Sequence, residues 1–242
     1  MGMKQIQCDG VSLSYERGKE ALQGITFSME SGTNLGLIGP IGSGKTTLLR
    51  ILAGILEADG RIEMPTFEPA GYMPASGGLI NELTVRENLD IWCRAFHTSK
   101  TEFDMLLKIL GISRIIDQKT GTLSSGLKKL VLFACTVVGK SSVILLDEPF
   151  VHLDIESCMK VQKVITEYLA ESTVIISSHN LEYLAGITDS LLILKTGSQI
   201  FHGTPEQLRQ QYSKDAEKDL KELYLEAVKV SDYGNGRREG EM

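Results

Sequence analysis

The sequence predicts an α/β fold in which a parallel sheet carries an antiparallel β subdomain and an inserted helical subdomain. Two continuous apolar runs, at 142–147 and 173–177, are typical of parallel strands buried on both faces. The segments 11–15 and 25–29 alternate between apolar and polar residues, which indicates antiparallel strands. Between roughly 80 and 140 the apolar residues recur at helical spacing, and this predicts the helical insertion.

The first third of the chain is predicted to be mostly β structure around one helix. A turn at Gly24 should join the two alternating strands. An apolar strand at 35–38 follows, and the next helix should end near Gly54. Short strands are expected at 61–64 and 70–73.

Capping signals place the helices of the insertion. Thr84 with Glu87, and Ser99 with Glu102, have the spacing of capping boxes at two helix starts. Trp92 lies on the apolar face of the first of these helices. We therefore expect Trp92 in the core rather than in a cofactor site.

After the two buried strands the chain is predicted to close its sheet and end in helices. Thr196–Gly197 is typical of a hairpin turn, and Pro205 suits the first turn of a helix. A charged helix is expected from about 214 to 228. Residues 231–242 are polar and contain glycine, so we expect a disordered tail.

Length and composition favour a cytosolic protein with one α/β domain, or one domain with a subsidiary lobe, over a membrane-spanning or nucleic-acid-binding protein. The 242 residues suffice for one domain over 1–230, with a helical subdomain at about 80–140. The net charge is −6 and no Lys/Arg-rich stripe is present, so no nucleic-acid partner is expected. Four scattered cysteines without a C-x-x-C pair indicate reduced thiols. No apolar stretch is long enough to span a bilayer, and no signal peptide is expected.

A phosphate-binding loop follows the strand at 35–38. Its glycines let the backbone aim N–H groups at phosphate oxygens, and Lys45 and the helix dipole add positive charge. The hydroxyl of Thr46 is expected on Mg²⁺. An ordinary glycine-rich turn is disfavoured by the flanking strand and helix. The chain is therefore predicted to bind a nucleoside triphosphate. The stretch that fills the G-x-x-x-x-G-K-[ST] pattern is Gly39, Pro40, Ile41, Gly42, Ser43, Gly44, Lys45, Thr46 and Thr47.

Acidic and imidazole side chains follow the two buried strands. Asp147 ends the first strand, where a carboxylate beside a phosphate loop anchors Mg²⁺. Glu148 is next to it and is the candidate general base for the attacking water. His179 follows the second strand, at the sheet edge where ligands of open α/β sheets bind. The sequence therefore predicts Glu148 and His179 as catalytic residues.

Small residues open the last helix of the insertion. Ser124, Ser125 and Gly126 offer hydroxyl and N–H donors at a helix N-terminus, which suits a phosphate. Alone this is weak evidence, because many helix N-caps look similar.

Together, and in this order, these motifs resemble those of the ATPase subunits of ABC transporters, over about residues 3–228. The resemblance implies the P-loop NTPase fold of that family and ATP hydrolysis with Mg²⁺. It also implies that Tyr15 stacks on adenine and that Asp154 contributes to the nucleotide site. In this family two domains pair head to tail, so each ATP would lie between one chain's phosphate loop and the other chain's 123–127 stretch.

The resemblance further implies partners and a location. A membrane-spanning permease subunit is expected as a separate chain, contacted near 75–87, with a homodimer or heterodimer of ATPase subunits beneath it. The protein would then be cytoplasmic and peripheral on the inner face of the cell membrane. Similarity to antibiotic- and peptide-export ATPases favours a bacterial exporter.

Several positions depart from the family pattern. Ala75 stands where glutamine is usual, and Leu127 replaces another glutamine. Ser125 replaces a glycine and is expected to tolerate the required backbone geometry less well. His152 follows Val151 where Ser-Gly is usual. Two hypotheses follow: a slow but competent ATPase, helped by water or by the serine after Ala75, or a subunit that depends on a different ATPase partner.

A soluble ABC ATPase that acts as a scaffold, such as an iron–sulfur assembly subunit, is the alternative function. A DNA-repair or chromosome ATPase would need a long coiled coil before Leu123, and no sustained heptad pattern is present.

Overall fold

The computed structural model describes residues 5–15, 18–65, 68–213 and 218–235. Seven α-helices occur in these ranges: α1 (Lys45–Leu52), α2 (Val85–Phe96), α3 (Lys100–Leu110), α4 (Ser125–Val137), α5 (Ile155–Lys163), α6 (Pro205–Tyr212) and α7 (Leu220–Asn235). The same ranges contain nine strands: β1 (Gln5–Tyr15), β2 (Lys19–Glu30), β3 (Asn34–Ile38), β4 (Asp59–Glu63), β5 (Gly71–Met73), β6 (Val143–Asp147), β7 (Thr173–Ser178), β8 (Ser190–Lys195) and β9 (Ser198–Gly203).

The strands form one mixed sheet, and this confirms the predicted α/β fold. Their order is β4-β1-β2-β9-β8-β3-β7-β6-β5. Strands β5, β6, β7, β3 and β8 run parallel, whereas β1 pairs antiparallel with β2 and β4. Strand β7 therefore lies between β3 and β6, and the carboxyl ends of these three strands meet at one edge.

The parallel strands are buried on both faces, as their continuous apolar sequences predict. Along β6, Val143 and Leu145 pack into a cluster with α1 and the antiparallel strands. Ile144 and Leu146 point the other way, into a cluster formed with the remaining helices. The sheet is thus the middle layer of the fold.

The helical insertion lies between β5 and β6 and shares its core with the sheet. Both predicted capping boxes are present, at Thr84 and Ser99. Leu89 and Leu106 of the insertion belong to the same hydrophobic cluster as Ile176 of β7. Because the core is continuous, α4 packs directly against the sheet.

Gly24 does not form the predicted turn. It lies inside β2 with φ of 60°, where the register between β1 and β2 shifts from the pair Val11–Ile25 to the pair Leu13–Leu22. A β-bulge and a turn both favour a glycine at positive φ, so the sequence signal is the same for both.

Trp92 is not a core residue, contrary to the prediction. It is 40% exposed and stacks on Phe96, with the ring centroids 6.2 Å apart. Leu89, on the same helix, is completely buried. Helical periodicity identified the apolar face correctly, but only the part of that face nearest the sheet is covered.

The C-terminal helix is displaced from its predicted position. Helix α7 begins at Leu220 and continues to Asn235, so the first residues of the predicted tail, 231–235, are helical. Residues 214–217 and 236–242 lie outside the described residues. Leu223 and Ala227 are buried, as expected for the inward side of this helix.

None of the helices in the described part of the chain is both long enough and apolar enough to cross a bilayer.

The bulge at Gly24 can be tested by substitution. An ideal Cβ at this position would meet no atom within 4 Å, so only the positive φ opposes a side chain. Gly24→Ala is expected to lower the free energy of unfolding by about 1–2 kcal/mol, measured by urea denaturation. Gly24→Asn is the control and should cost less, because asparagine tolerates the left-handed region. Equal losses for the two variants would contradict this explanation.

Candidate functional site

The phosphate-binding loop connects β3 to α1 and has the backbone shape that its glycines predict. Gly42 and Gly44 have φ values of 80° and 103°. A Cβ at Gly44 would lie 2.8 Å from the carbonyl oxygen of Ala21, so a larger residue would be excluded even without the positive φ. The loop is therefore folded tightly onto β2, with α1 starting directly behind it.

Lys45 is buried inside this loop. Its Nζ donates hydrogen bonds to the carbonyl oxygens of Gly39 at 2.7 Å and Pro40 at 3.0 Å. Burial lowers the pKa of Lys45, whereas the charges of Glu148 and Asp147 raise it. The ammonium group is thus held at the centre of the loop by carbonyl groups that a stronger anionic ligand can replace.

A pocket of about 260 Å³ opens over the loop. Tyr15 lines it and is 42% exposed, while its hydroxyl lies 3.2 Å from Oγ1 of Thr47. Gly42 and Lys45 line the same pocket. The pocket therefore combines an aromatic face with a cationic, amide-rich base, as a nucleotide requires.

Asp147 joins the loop to the neighbouring strands. The hydroxyl of Thr46 donates to its Oδ2 at 2.8 Å, and the hydroxyl of Ser177 donates to its Oδ1 at 2.7 Å. Asp147 is 1% exposed. A hydroxyl and a carboxylate beside a phosphate loop are oxygen donors of the type that Mg²⁺ prefers together with substrate phosphates, so this pair fits the ion.

Glu148 and His179 lie together at the same sheet edge. His179 Nδ1 is 2.9 Å from Oε2 of Glu148, and the two side chains are 60% and 19% exposed respectively. Glu148 has φ of 51°, an uncommon value for a non-glycine residue. Its backbone N–H donates to Oγ of Ser177 at 2.9 Å, which holds it in this conformation.

The small residues that open α4 are not near the phosphate loop of the same chain. Ser124 caps the helix by accepting from the N–H of Leu127 at 3.3 Å. Among the described residues, the pocket over the phosphate loop has no lining from 124–126. Ser125 instead lines a second pocket with Ala75 and His152.

Ser125 is not strained, contrary to the expectation from its glycine-like position. It is the first residue of α4 and has no positive φ. Gly126 is the constrained position, because a Cβ there would lie 2.8 Å from the carbonyl oxygen of His152.

Asp154 serves locally as the N-cap of α5. It accepts from the N–H of Ser157 at 2.7 Å, and this bond to the backbone, with a side-chain bond to the same serine, lowers the pKa of Asp154. Asp154 is exposed.

Two residues of the site were missed by sequence reasoning. Ser177 links Asp147 to Glu148, and its signal is a polar residue opposite Asp147 in the register of β6 and β7. Lys129 is a buried lysine of α4 whose Nζ donates to the carbonyl oxygen of Ala75 at 2.9 Å. Its only signal is a charge at a position that helical periodicity places on an apolar face.

Comparisons with known proteins identify relatives of this chain. The sequence model of the ABC transporter family matches residues 22–151. The probable multidrug ABC transporter ATP-binding protein YbhF of Escherichia coli K12 is 33% identical over 207 residues, covering 79% of this chain and 36% of that protein. The Nod factor export ATP-binding protein I of Burkholderia pseudomallei is 29% identical over 224 residues, covering 86% of this chain and 73% of that protein. The chain thus spans about a third of YbhF.

A solved structure shows the same fold. It is described as an ATP-binding subunit of an ABC transporter, superposes with a TM-score of 0.83 at 25% identity, and covers 92% of this chain and 99% of that one.

Ser177→Ala tests the link between β6 and β7. The substitution removes the hydroxyl that bonds Oδ1 of the buried Asp147 and the N–H of the partly buried Glu148. We expect a loss of about 1–3 kcal/mol in the free energy of unfolding, measured in urea.

Thr136→Val is the matched control, because Thr136 is a buried hydroxyl whose acceptor, the carbonyl of Leu132, belongs to the ladder of α4. Its loss should be smaller than that of Ser177→Ala. An equal loss in the free energy of unfolding for Thr136→Val would mean that the Ser177 bonds stabilise the protein no more than any buried hydroxyl does.

Proposed function

The chain belongs to the ABC transporter family as an ATP-binding subunit, and we propose that it hydrolyses ATP at a head-to-tail dimer interface to power export through a separate membrane subunit. The observation that carries this proposal is the meeting of the phosphate loop, Asp147, Glu148 and His179 at one sheet edge.

Binding of the triphosphate follows from the loop. Its backbone N–H groups and the α1 N-terminus surround the phosphates, and Lys45 exchanges the carbonyl oxygens of Gly39 and Pro40 for phosphate oxygens. The ring of Tyr15 supports the adenine. Thr46 and Asp147 would hold Mg²⁺, which neutralises phosphate charge when bound.

Hydrolysis is assigned to Glu148 and His179. The carboxylate of Glu148 accepts a proton from water as the water oxygen bonds to the γ-phosphorus, and the bridging oxygen leaves with ADP. The imidazole of His179, at 2.9 Å, orients the carboxylate. The bond between Ser177 and the N–H of Glu148 keeps the carboxylate at the end of β6.

A second subunit would complete the site. Ser124, Ser125 and Asp154 are exposed, and neither these residues nor Gly126 line the pocket over the chain's own phosphate loop. In a head-to-tail pair these residues would face the partner's nucleotide. The replacements at Ala75 and Leu127 favour two versions of this pair: a slow homodimer, or a heterodimer with a different ATPase subunit.

A membrane-spanning permease is the proposed partner, and the chain would lie peripherally on the cytoplasmic face of the membrane. Ile80, within the predicted contact region 75–87, is 48% exposed. The relatives named for multidrug transport and for Nod factor export favour this function over the soluble scaffold alternative. Co-purification from membranes with a polytopic protein would support the transporter, whereas a wholly soluble complex would support the scaffold.

Glu148→Gln tests the proposed general base. The amide cannot accept the proton of water, so we expect ATP turnover to fall about a hundredfold or more. Affinity for MgATP, measured by titration calorimetry, should change little, because the loop is untouched. Glu171→Gln removes an exposed carboxylate far from the sheet edge and is the matched control. Unchanged turnover in Glu148→Gln would show that the base lies elsewhere.

The same variant distinguishes the two versions of the dimer. With MgATP bound and not hydrolysed, Glu148→Gln should elute as a dimer in gel filtration if the chain pairs with itself. A monomer that dimerises only when a second ATPase subunit is added would instead support the heterodimer.

A further inference from the structure

Lys129 is buried where a lysine is costly. Only 6% of its surface is exposed, because it lies on the part of α4 that packs into the fold. Its ammonium donates one hydrogen bond, 2.9 Å long, to the carbonyl oxygen of Ala75. An ammonium group has three donors, and desolvating it costs several kcal/mol unless negative charge compensates. The surroundings must therefore supply that charge.

The two acidic residues of the site supply negative charge that offsets part of this cost. Burial lowers the pKa of Lys129, whereas Asp147 and then Glu148 raise it through their charges. The same two carboxylates also raise the pKa of Lys45, the lysine of the phosphate loop. Asp147 and Glu148 thus interact electrostatically with Lys45 of the phosphate loop and with Lys129 of α4.

The loop held by Lys129 has no polar side chain at position 75, where the family pattern has glutamine. Ala75 follows β5 and is exposed, and its methyl group can neither donate nor accept a hydrogen bond. A pocket of about 250 Å³ lies here, lined by Ala75, Ser76, Lys129 and His152 among others. The loop is therefore attached to the rest of the site through its backbone, by the ammonium of Lys129.

We propose that Lys129 is a positioning residue for ATP hydrolysis, which anchors the loop at Ala75 to α4 and supplies, from the helix, the polar contact that a side chain at position 75 does not provide. This inference rests on the proposed ATPase function. It predicts two separable effects of removing the ammonium: a looser loop in the nucleotide-free protein, and slower turnover without weaker nucleotide binding.

Lys129→Met tests both effects, because methionine keeps an unbranched side chain of similar size and loses the charge. We expect faster amide hydrogen exchange over residues 75–79 in the nucleotide-free protein. We also expect kcat to fall about tenfold, as for the loss of a charge-assisted hydrogen bond, with the Kd for MgATP changed less than about twofold. Lys129→Arg should retain most of the turnover.

Rescue separates positioning from a general loss of structure. Adding Ala75→Gln to Lys129→Met should recover at least about half of the lost turnover, because the new amide restores a polar group on the loop. Lys108→Met is the matched control, on an exposed lysine of α3, and should leave exchange, kcat and Kd unchanged.

Three results would overturn the inference. One is wild-type turnover and wild-type loop exchange in Lys129→Met. Another is a parallel loss of turnover, MgATP affinity and thermal stability that Ala75→Gln does not rescue. The third concerns the single variant Ala75→Gln, in which Lys129 is intact. We expect its kcat to rise less than about twofold. A tenfold rise would show that Lys129 does not supply the polar contact that alanine at position 75 lacks.

The proposed ATPase function and the role of Lys129 can be tested independently. If the unaltered protein bound MgATP but did not hydrolyse it, or did not bind it, the ATPase proposal would be wrong. The hydrogen-exchange comparison in the nucleotide-free protein would still show whether Lys129 anchors the loop.

Discussion

The carboxylate of Asp147 holds the site together, because each of its oxygens accepts a hydrogen bond from a different part of the sheet edge. Thr46 binds one oxygen from the phosphate loop, and Ser177 binds the other from β7. Ser177 also accepts the N–H of Glu148, and Glu148 meets His179. Since β7 lies between β3 and β6, this chain of bonds connects the ends of three adjacent strands. These bonds therefore tie the ends of β6 and β7 to the phosphate loop that follows β3.

Two of the five non-glycine residues with positive φ in the described part of the chain lie beside these bonds. Glu148 and His152 both have positive φ, at 51° and 69°, although neither is glycine. Such conformations persist only where the surroundings hold them, and they cluster at functional sites. Glu148 is held by Ser177, and the carbonyl of His152 packs against Gly126 at the start of α4. The segment from the sheet edge to α5 is thus fixed at both of its strained residues.

The shared hydrophobic core explains how a helix of the insertion takes part in the site. Helix α4 packs on β5, and its residues Leu130 and Phe133 belong to the cluster that includes Ile144 of β6. Because close-packed interiors resist small displacements, Lys129 is held at a fixed place relative to Asp147. The insertion therefore contributes a buried charge to the sheet edge as well as an exposed N-terminus at Ser124.

The sequence by itself determined the features that depend on neighbours within a few residues. The phosphate loop, the capping boxes at Thr84 and Ser99, and the buried strands are of this kind, since their chemistry is local. It also identified Asp147, Glu148 and His179, but only the register of β6 and β7 joined the first two to Ser177, 30 residues from Asp147.

Only the tertiary structure decided the rest. A glycine signal cannot distinguish a bulge from a turn, so Gly24 was misplaced, and periodicity does not say how far a face is covered, so Trp92 was wrongly assigned to the core. Lys129 and Ala75 are 54 residues apart, and no local pattern relates them. They meet because β5 pairs with β6 and α4 packs on these strands in the same hydrophobic cluster. Such packing depends on residues from the whole core, which no short stretch of sequence specifies.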